Sequence, residues 1–166
     1  MEIINSRRSV RTYKDIKVEK EKVEKLLRAA MQAPSAYNQQ AWEFVVVEDK
    51  NTLKKLSETS PFSKPVANAP LAFVVLGNKD NMKVPGCWQQ DLGAACENLL
   101  LEAVELGLGG VWMAVTPEED RINYIKNMFN LPENIIPYSL IPIGYPADEP
   151  KFVDRFDSTK VHYERW

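Results

Sequence analysis

DLGAACENLLLEAVELGLGGVW, residues 91–112, covers most of the longest apolar region of the chain and joins a helical pattern to a strand pattern. From residue 88 to residue 106 the apolar side chains recur at helical intervals around much of the circumference, which predicts a buried helix. Gly107 suits the C-terminal cap of that helix. The residues that follow, LGGVWMAV at 108–115, are short, apolar and typical of a strand.

Helix and strand patterns alternate before this stretch. Residues 19–33 carry one apolar stripe, which predicts a helix that Pro34 ends. Short β-branched runs at 42–49 and 70–77 predict two buried strands. Between them we expect a short helix that Asn51 caps.

The same alternation continues after it. A helix-start signature predicts a helix that runs to about Phe129, and its members are Thr116, Pro117 and Glu119. Residues 138–146 predict a last strand, in which Pro142 indicates an edge position or a bulge. The polar tail after Pro150 still contains aromatic residues, so we expect it to lie across other surface. The element order indicates α+β or α/β.

Composition limits the class of protein. A chain of 166 residues, 45% hydrophobic and 27% charged, suits a single domain over residues 1–166. Its net charge of -2 argues against binding nucleic acid with the whole surface. Glutamates interrupt the longest apolar region, and no signal sequence begins the chain. We therefore expect a soluble, cytoplasmic protein without membrane or nucleic-acid partners.

Several kinds of catalytic site lack their residues. His162 is the single histidine, and Cys87 and Cys96 have no metal-ligand spacing, so we expect no metal site and reduced thiols. No nucleophile elbow or phosphate loop is present. Gly107, Gly109 and Gly110 follow a helix and precede a strand, whereas the glycines of a dinucleotide-binding turn follow a strand and precede a helix. The protein is therefore a binder, or an enzyme whose chemistry belongs to a cofactor.

The segment SRRSVRTY, residues 6–13, is the first candidate binding element. Arginines bind phosphate through charge-assisted bidentate hydrogen bonds, and a serine hydroxyl can complete such a site. A solvated basic turn that pairs with neighbouring glutamates is the alternative. The candidate ligands are Arg7, Arg8, Ser9 and Arg11.

Two further segments are candidates. APSAYNQQAW, residues 33–42, offers uncharged donors and acceptors that suit the edge of a planar heterocycle, although an ordinary polar loop has the same composition. These side chains are Ser35, Asn38, Gln39 and Gln40. Gly109 and Gly110 would let the backbone approach a flat ligand, or they form a simple turn.

In this order, the segments resemble the flavin-dependent nitroreductase family over essentially the whole chain. RRSVRTY is similar to the family's Arg-Arg-Ser-x-Arg-x-Tyr/Phe, and APSAYNQQAW to its Ala-Pro-Ser-x-x-Asn-x-Gln-Pro-Trp, with Ala41 where proline is usual. Residues 91–112 resemble its core helix followed by Gly-Leu-Gly and tryptophan, and RFDSTKVHYERW resembles the closing segment of its shorter members. The link from Gly77 to Trp88 leaves little room for the insertions of longer members.

The resemblance implies an α+β homodimer with a central mixed sheet flanked by helices and FMN at the subunit interface. It places Arg7, Arg8 and Ser9 at the phosphate and ribityl end, and Arg11 near the pyrimidine edge. The partner subunit would contribute Pro34, Ser35, Ala36 and Asn38. Gly109 and Gly110 would pass beside the ring, and Arg155 and Lys160 are candidate C-terminal phosphate ligands.

The implied activity is that of an FMN-dependent NAD(P)H oxidoreductase. NADH or NADPH would pass hydride to the flavin N5, and a small electron-poor acceptor such as a nitroaromatic or quinone would then take the electrons in ping-pong order. No catalytic side chain is certain, but Arg11 would stabilise the reduced flavin and the Gly110 amide would orient N5.

Two other functions suit the same residues. The first is a flavin-binding or flavin-sequestering protein of the same fold with little turnover. The second uses the N-terminal arginines as a docking arm for nucleic acid or a protein partner. The physiological acceptor and the choice between NADH and NADPH do not follow from these residues.

Overall fold

A computed structural model describes residues 2–149 and 151–166. The helices are α1 (Glu2–Ser6), α2 (Lys20–Met31), α3 (Lys50–Leu56), α4 (Trp88–Glu105) and α5 (Glu119–Phe129). The strands are β1 (Trp42–Val47), β2 (Leu71–Asn78), β3 (Gly109–Gly110), β4 (Met113–Ala114) and β5 (Ile135–Gly144). None of these helices is both long enough and apolar enough to cross a membrane.

The strands form one sheet in the order β1, β2, β5, with β3 and β4 both paired to the far side of β5. All four pairings are antiparallel. The predicted α+β class is confirmed, but the prediction of a mixed sheet is wrong for these strands. Within the described residues, the parallel component is limited to an isolated bridge between Ser9 and Gly110.

Strand β5 lies inside the sheet, so the prediction that Pro142 marks an edge is wrong. Pro142 is buried and pairs with Ala72 of β2. On the other side of β5, the ladder is interrupted between β3 and β4, opposite this part of the strand. The sheet therefore tolerates a proline here, because the hydrogen-bond ladder on this side of β5 has a gap and loses no N–H donor to it. The irregularity in register lies instead between Val75 and Leu76 of β2.

Both faces of the sheet are covered, which explains the continuous apolar run of β2. Leu71, Phe73 and Val75 belong to a buried cluster with α2 and α4. Their alternating neighbours pack in a second cluster with α3 and α5, and they are Ala72, Val74 and Leu76. The sheet therefore separates two hydrophobic cores within one fold.

Helix α4 is the buried helix that the sequence predicted. Its core face consists of Leu92, Ala95, Cys96, Leu99, Leu100 and Ala103. Burial raises the pKa of the Cys96 thiol to about 12, although the hydroxyl of Ser139 lies 3.4 Å from its sulfur. Cys96 is therefore a core thiol, whereas Cys87 is partly exposed at the start of the helix.

Several predicted element ends differ from the structure. Asp49 caps α3, because its carboxylate accepts the Thr52 N–H at 2.8 Å, and Asn51 lies inside the helix. Helix α5 begins at Glu119, and the hydroxyl of Thr116 donates to the Pro137 carbonyl at 2.7 Å instead of capping it. The predicted strand at 108–115 is divided into β3 and β4.

The C-terminal tail is exposed at every position from 151 to 166. Its large apolar side chains contact little of this chain, and they include Phe152, Phe156, Tyr163 and Trp166. Arg8 holds the start of the tail by donating to the Lys151 carbonyl at 2.7 Å. Within residues 2–149 and 151–166, the aromatic side chains of the tail therefore stay largely exposed and do not lie across other surface as the sequence predicted.

Gly110 has no room for a side chain. A Cβ there would lie 2.5 Å from Ile143 Cδ1 and 2.8 Å from the Pro142 carbonyl oxygen. We predict that Gly110→Val lowers the free energy of unfolding by about 1–3 kcal/mol, as expected for overpacking a core. Urea-induced unfolding measures the change. Gly86→Val is the matched control, because nothing lies within 4 Å of the Cβ position there. Equal unfolding midpoints for the two variants would contradict the packing argument.

Candidate functional site

Residues from the two ends of the chain meet in one cavity of about 310 Å³, here called the arginine cavity. Arg7 and Arg8 come from the segment after α1, and Arg155 comes from the tail. The lining also contains two carboxylates, Glu97 and Asp154. Three guanidinium groups against two carboxylates leave the cavity with an excess of positive charge, which suits an anionic ligand.

Arg7 is held by α4. Its Nε lies 3.1 Å from Glu97 Oε1, and the Arg7 side chain is 23% exposed. An Nε contact leaves the two terminal nitrogens of the guanidinium group available to a ligand, since arginine carries five N–H donors. Glu97 therefore fixes the direction of Arg7 without using its bidentate face.

Arg8 is used mainly to position the tail. Besides Lys151, its guanidinium donates to the carbonyl oxygens of Arg7 and Val153 and lies 5.7 Å from the centre of the Phe152 ring. These contacts occupy three of its five donors. Arg8 consequently brings the tail to Arg7, and it has fewer donors left for a ligand than Arg7 or Arg155.

A second cavity, of about 560 Å³, lies beside β4 and is here called the tryptophan cavity. Trp112 and the exposed Phe62 provide aromatic surface. The basic residues of its lining are Arg11, Lys64 and Arg121. No acidic residue lines it among the described parts of the chain. Aromatic surface next to positive charge suits a planar ligand that carries or acquires negative charge.

The ring of Trp112 packs against one other aromatic ring, which itself packs against a third. Tyr138 packs edge-on against it, with ring centres 5.7 Å apart, and against Trp88 at 5.6 Å. The Tyr138 hydroxyl donates to the Gln89 carbonyl at 2.8 Å, and burial, followed by the nearby Cys96, raises the pKa of this phenol to about 12. Trp112, one of the residues that line the cavity, is thus held in place by Tyr138.

Ala114 also lines this cavity, and its backbone N–H and C=O groups are directed away from β5. The N–H of Val115 donates to the Tyr138 carbonyl on β5. Because hydrogen-bonded positions alternate along an antiparallel strand, the N–H and C=O of Ala114 point away from β5. The carbonyl accepts from Arg121 at 3.0 Å on that side. The Ala114 N–H is therefore directed toward the surface that lines the cavity.

Gly109 and Gly110 require a different explanation from the one their sequence suggested. Both are buried, and a Cβ on Gly109 would lie 2.5 Å from Val10 Cγ2. The Gly110 carbonyl accepts the Val10 N–H at 2.9 Å. Glycine is needed here because the segment around Val10 crosses β3 closely, and neither glycine lines the arginine or tryptophan cavity. Close packing accounts for glycine at both positions without a ligand, and their place beside a flavin ring stays a prediction.

The loop at residues 34–40 has an unusual backbone. Tyr37, Asn38 and Gln40 have φ angles of 51°, 51° and 46°, in the left-handed region that non-glycine residues rarely occupy. The hydroxyl of Ser35 accepts the Gln40 N–H at 3.1 Å. Such a conformation persists only when surrounding contacts fix it.

Those contacts come from Asp91, a buried carboxylate in the first turn of α4. Asp91 accepts the Ala36 N–H at 3.0 Å and a hydrogen bond from the Gln39 side-chain amide. The amide oxygen of Gln39 in turn accepts the Val84 N–H at 2.9 Å. Gln39 is therefore buried and directed inward, so it does not present its amide to a ligand as the sequence suggested.

The loop and the arginine cavity lie on different sides of α4. Asp91 contacts the loop and Glu97 contacts Arg7. Six residues of helix separate these carboxylates by about 9 Å along the axis and about 120° around it. None of the loop residues lines the arginine or tryptophan cavity, and these residues are Pro34, Ser35, Ala36 and Asn38.

Two other predicted ligands also lie apart from the cavities. Ser9 is exposed, and its carbonyl accepts from Arg11 at 3.4 Å. Lys160 pairs with Asp157 at 3.7 Å and does not line the arginine cavity of its own chain. The structure thus brings together Arg7, Arg8 and Arg155, and separately places Arg11 against the tryptophan cavity.

Sequence reasoning missed several residues of this arrangement. Lys64, Phe62, Trp112 and Arg121 line the tryptophan cavity, but they belong to no motif that names a ligand. Asp91 did leave a signal. It lies four residues before Ala95, on the buried face of a helix, and a carboxylate in that position requires a hydrogen-bonding partner.

Comparison with known proteins agrees with this fold and these motifs. A sequence model of the Nitroreductase family matches residues 4–85 and 63–145. The chain therefore belongs to the nitroreductase family, which confirms the resemblance seen in its sequence. It is 44% identical over 166 residues to a protein of Methanothermobacter thermautotrophicus named "Putative NADH dehydrogenase/NAD(P)H nitroreductase", covering 100% of this chain and 87% of the relative.

Solved structures are similar over the same length. The crystal structure of a "Putative NADH Oxidase" from Clostridium acetobutylicum has a TM-score of 0.97 and 54% identity, covering 99% of each chain. An "FMN-dependent Nitroreductase" from Clostridium difficile has a TM-score of 0.92 and 36% identity, covering 99% of this chain and 98% of the other.

The Asp91 contacts can be tested by exchanging the two hydrogen-bonding groups. We predict that Asp91→Asn loosens the loop, because the new amide donor faces the donors of Ala36 and Gln39, at a cost of about 1–3 kcal/mol. We expect faster hydrogen exchange at residues 36–40, which measures the looser loop, and a lower free energy of unfolding, which measures the lost stability. The double variant Asp91→Asn with Gln39→Glu should recover part of the exchange protection and part of the stability. In this variant the carboxylate lies at position 39, where it accepts from the amide at position 91 and from the Val84 N–H.

The control for this exchange is Asp49→Asn. Asparagine caps a helix as well as aspartate does, so this exposed site should keep the wild-type stability and exchange rates. Wild-type exchange at residues 36–40 in Asp91→Asn would show that the buried carboxylate does not fix the loop.

Proposed function

We propose that this protein is an FMN-dependent NAD(P)H oxidoreductase that works as a homodimer and reduces a small electron-poor acceptor. The observation that carries the proposal is the meeting of Arg7 and Arg155, from opposite ends of the chain, in one cavity. Membership of the nitroreductase family and a structural relative described as FMN-dependent support the choice of cofactor.

The arginine cavity fits the phosphate of FMN. Arg7 and Arg155 supply guanidinium groups suited to bidentate binding of phosphate oxygens. Glu97 positions Arg7 through its Nε, which leaves the terminal nitrogens for the ligand. The phosphate dianion would balance the excess positive charge that these residues create.

The tryptophan cavity fits the isoalloxazine ring. Trp112 belongs to its lining, the Ala114 N–H is a candidate donor to a ring nitrogen, and Arg11 and Lys64 would stabilise negative charge on the pyrimidine side. We transfer to Ala114 the donor role that the sequence suggested for Gly110. When bound, FMN supplies the electron transfer from NAD(P)H to the acceptor.

No side chain of this chain needs to transfer a proton to start the reaction. The buried phenol nearest to Arg11 in the sequence, Tyr13, donates to the Val10 carbonyl at 2.7 Å, and burial raises the pKa of this phenol well above its usual range. Tyr13 is therefore a structural hydrogen-bond donor. The chain's contribution is to bind, orient and stabilise charge.

A second copy of the chain would complete the site. The loop at residues 34–38 and the arginine cavity lie on different sides of α4, so one chain does not place both against the same ligand. The exposed aromatic residues of the tail also lack a surface in their own chain. We propose that the partner's loop reaches the flavin and that each tail packs on the partner, giving two flavins per dimer.

The rival function is storage of flavin with little turnover. Both functions use the same ligands, and they differ in whether NAD(P)H can reach the bound ring. The lining of the tryptophan cavity includes exposed residues such as Phe62, at 76% exposure, which favours an accessible ring and hence turnover.

The activity is tested on the purified protein in solution. We expect one FMN per chain in a dimer, loss of the yellow absorbance on anaerobic mixing with NADH or NADPH, and its return when a nitroaromatic or quinone is added. Each cycle converts NAD(P)H, a proton and a nitro compound to NAD(P)⁺, the nitroso compound and water. A yellow dimer that neither nicotinamide bleaches would establish the storage function instead.

The phosphate assignment is tested with two flavins that differ only in the phosphate. Arg7→Gln and Arg155→Gln should each weaken FMN binding by about 1.5–3 kcal/mol, the scale of a hydrogen bond to a charged group, and leave riboflavin binding unchanged. Fluorescence titration measures both affinities. Arg28→Gln is the control, because Arg28 is exposed and paired with Glu24 on α2. Equal losses for FMN and riboflavin would place the phosphate elsewhere.

A further inference from the structure

Arg121 is a cation at the tryptophan cavity to which the proposed binding of FMN assigns no role. It lies in the first turns of α5, whereas Arg11 and Lys64 come from the N-terminal segment and the stretch before β2. No motif of the sequence includes it. It is partly buried, and its guanidinium donates from Nη1 to the Ala114 carbonyl at 3.0 Å.

The single backbone contact leaves most of this guanidinium free. An arginine has five N–H donors, and one of them is accounted for by Ala114. None of the ion pairs found in residues 2–149 and 151–166 involves Arg121. A positive charge at a cavity without a carboxylate in its lining is available to an anionic ligand.

The contact with Ala114 also fixes where the charge lies. In an extended strand the N–H and C=O of one residue point to the same side, so the Arg121 guanidinium bound at the carbonyl lies next to the N–H of the same residue. The proposed function directs that N–H to the reacting end of the flavin ring. The free donors of Arg121 would therefore face a substrate bound beside the reacting atom.

We propose that Arg121 determines acceptor specificity, and that the preferred electron acceptors are small planar compounds carrying a carboxylate or another anionic oxygen group. This inference rests on the proposed function. Arg121 binds the anionic group through its free N–H donors, while the reducible group of the same molecule lies beside the Ala114 N–H. The redox balance is unchanged, since NAD(P)H remains the electron donor and the acceptor is reduced by two electrons.

The test compares two acceptors of the same shape, 4-nitrobenzoate and 4-nitrobenzamide, with the FMN-loaded protein. The quantity measured is the ratio of kcat/KM for the anionic acceptor to kcat/KM for the neutral one, in which the binding of NAD(P)H cancels. We expect Arg121→Gln to lower this ratio about tenfold, the effect of one lost charge-assisted hydrogen bond. Arg121→Lys, which keeps the charge, should lower it less.

Lys126→Gln is the matched control, because it removes one positive charge from the same helix at a residue outside the cavity. It should keep the wild-type ratio. If both Gln variants lower the ratio equally, the effect is one of net charge and the proposal is wrong. An unchanged ratio in Arg121→Gln also overturns it, including the case in which only the KM of NADH or NADPH rises.

A binding measurement tests the same idea without turnover. Benzoate should perturb the visible spectrum of the bound flavin at a concentration about tenfold lower than benzamide does, and Arg121→Gln should abolish that difference. Equal dissociation constants in the wild-type protein would refute the role of Arg121. A protein that binds FMN and benzoate but is not reduced by NADH or NADPH would refute the proposed activity and leave the specificity of the cavity intact.

Discussion

The packing of α4 against the sheet is the constraint on which the site depends. The helix is buried along one face in the core with β2 and β5, so its position cannot change without opening that core. Two carboxylates of this helix hold other segments: Asp91, at the start of its buried face, bonds the loop at residues 34–40, and Glu97, on a more exposed face, pairs with Arg7. One rigid helix therefore positions both the loop at residues 34–40 and Arg7, which are remote from each other in sequence and in space.

The separation of the loop from the arginine cavity means that one chain does not bring all of the predicted flavin ligands together. The arginine cavity gathers positive charge, and its tail segment presents aromatic side chains to solvent. The loop, fixed in an unusual backbone conformation by a buried carboxylate, contacts no ligand surface of its own chain. Strained backbone that is held so firmly is typical of a functional surface. In the proposed symmetric dimer, each loop would reach the cavities of the other chain without any change in the fold.

The sequence predicted the elements well where a pattern repeats along the chain. Helix α4 is long and periodic, and strand β2 is a continuous buried apolar run, so their local preference and their packing agree. Prediction was weaker where a tertiary contact decides. Pro142 lies inside the sheet because the ladder beside it is interrupted, and Gly109 is glycine because Val10 crosses it. Neither neighbour is visible in the local sequence. Trp112 and Arg121 line one cavity because β4 pairs with β5 in a particular register, and this pairing is not visible in the local sequence.

The central claim is that each flavin site is built from two chains, and mixed dimers test it most directly. One variant would carry Arg7→Gln with Arg155→Gln, the other a disabled loop with Asn38→Ala and Ser35→Ala, and neither should retain FMN alone. Refolding them together forms heterodimers in which one site has both defects and the other has none. The account predicts that purified heterodimers, separated by different affinity tags, bind one FMN with wild-type affinity. Heterodimers that bind no FMN would show that a single chain supplies both groups of ligands.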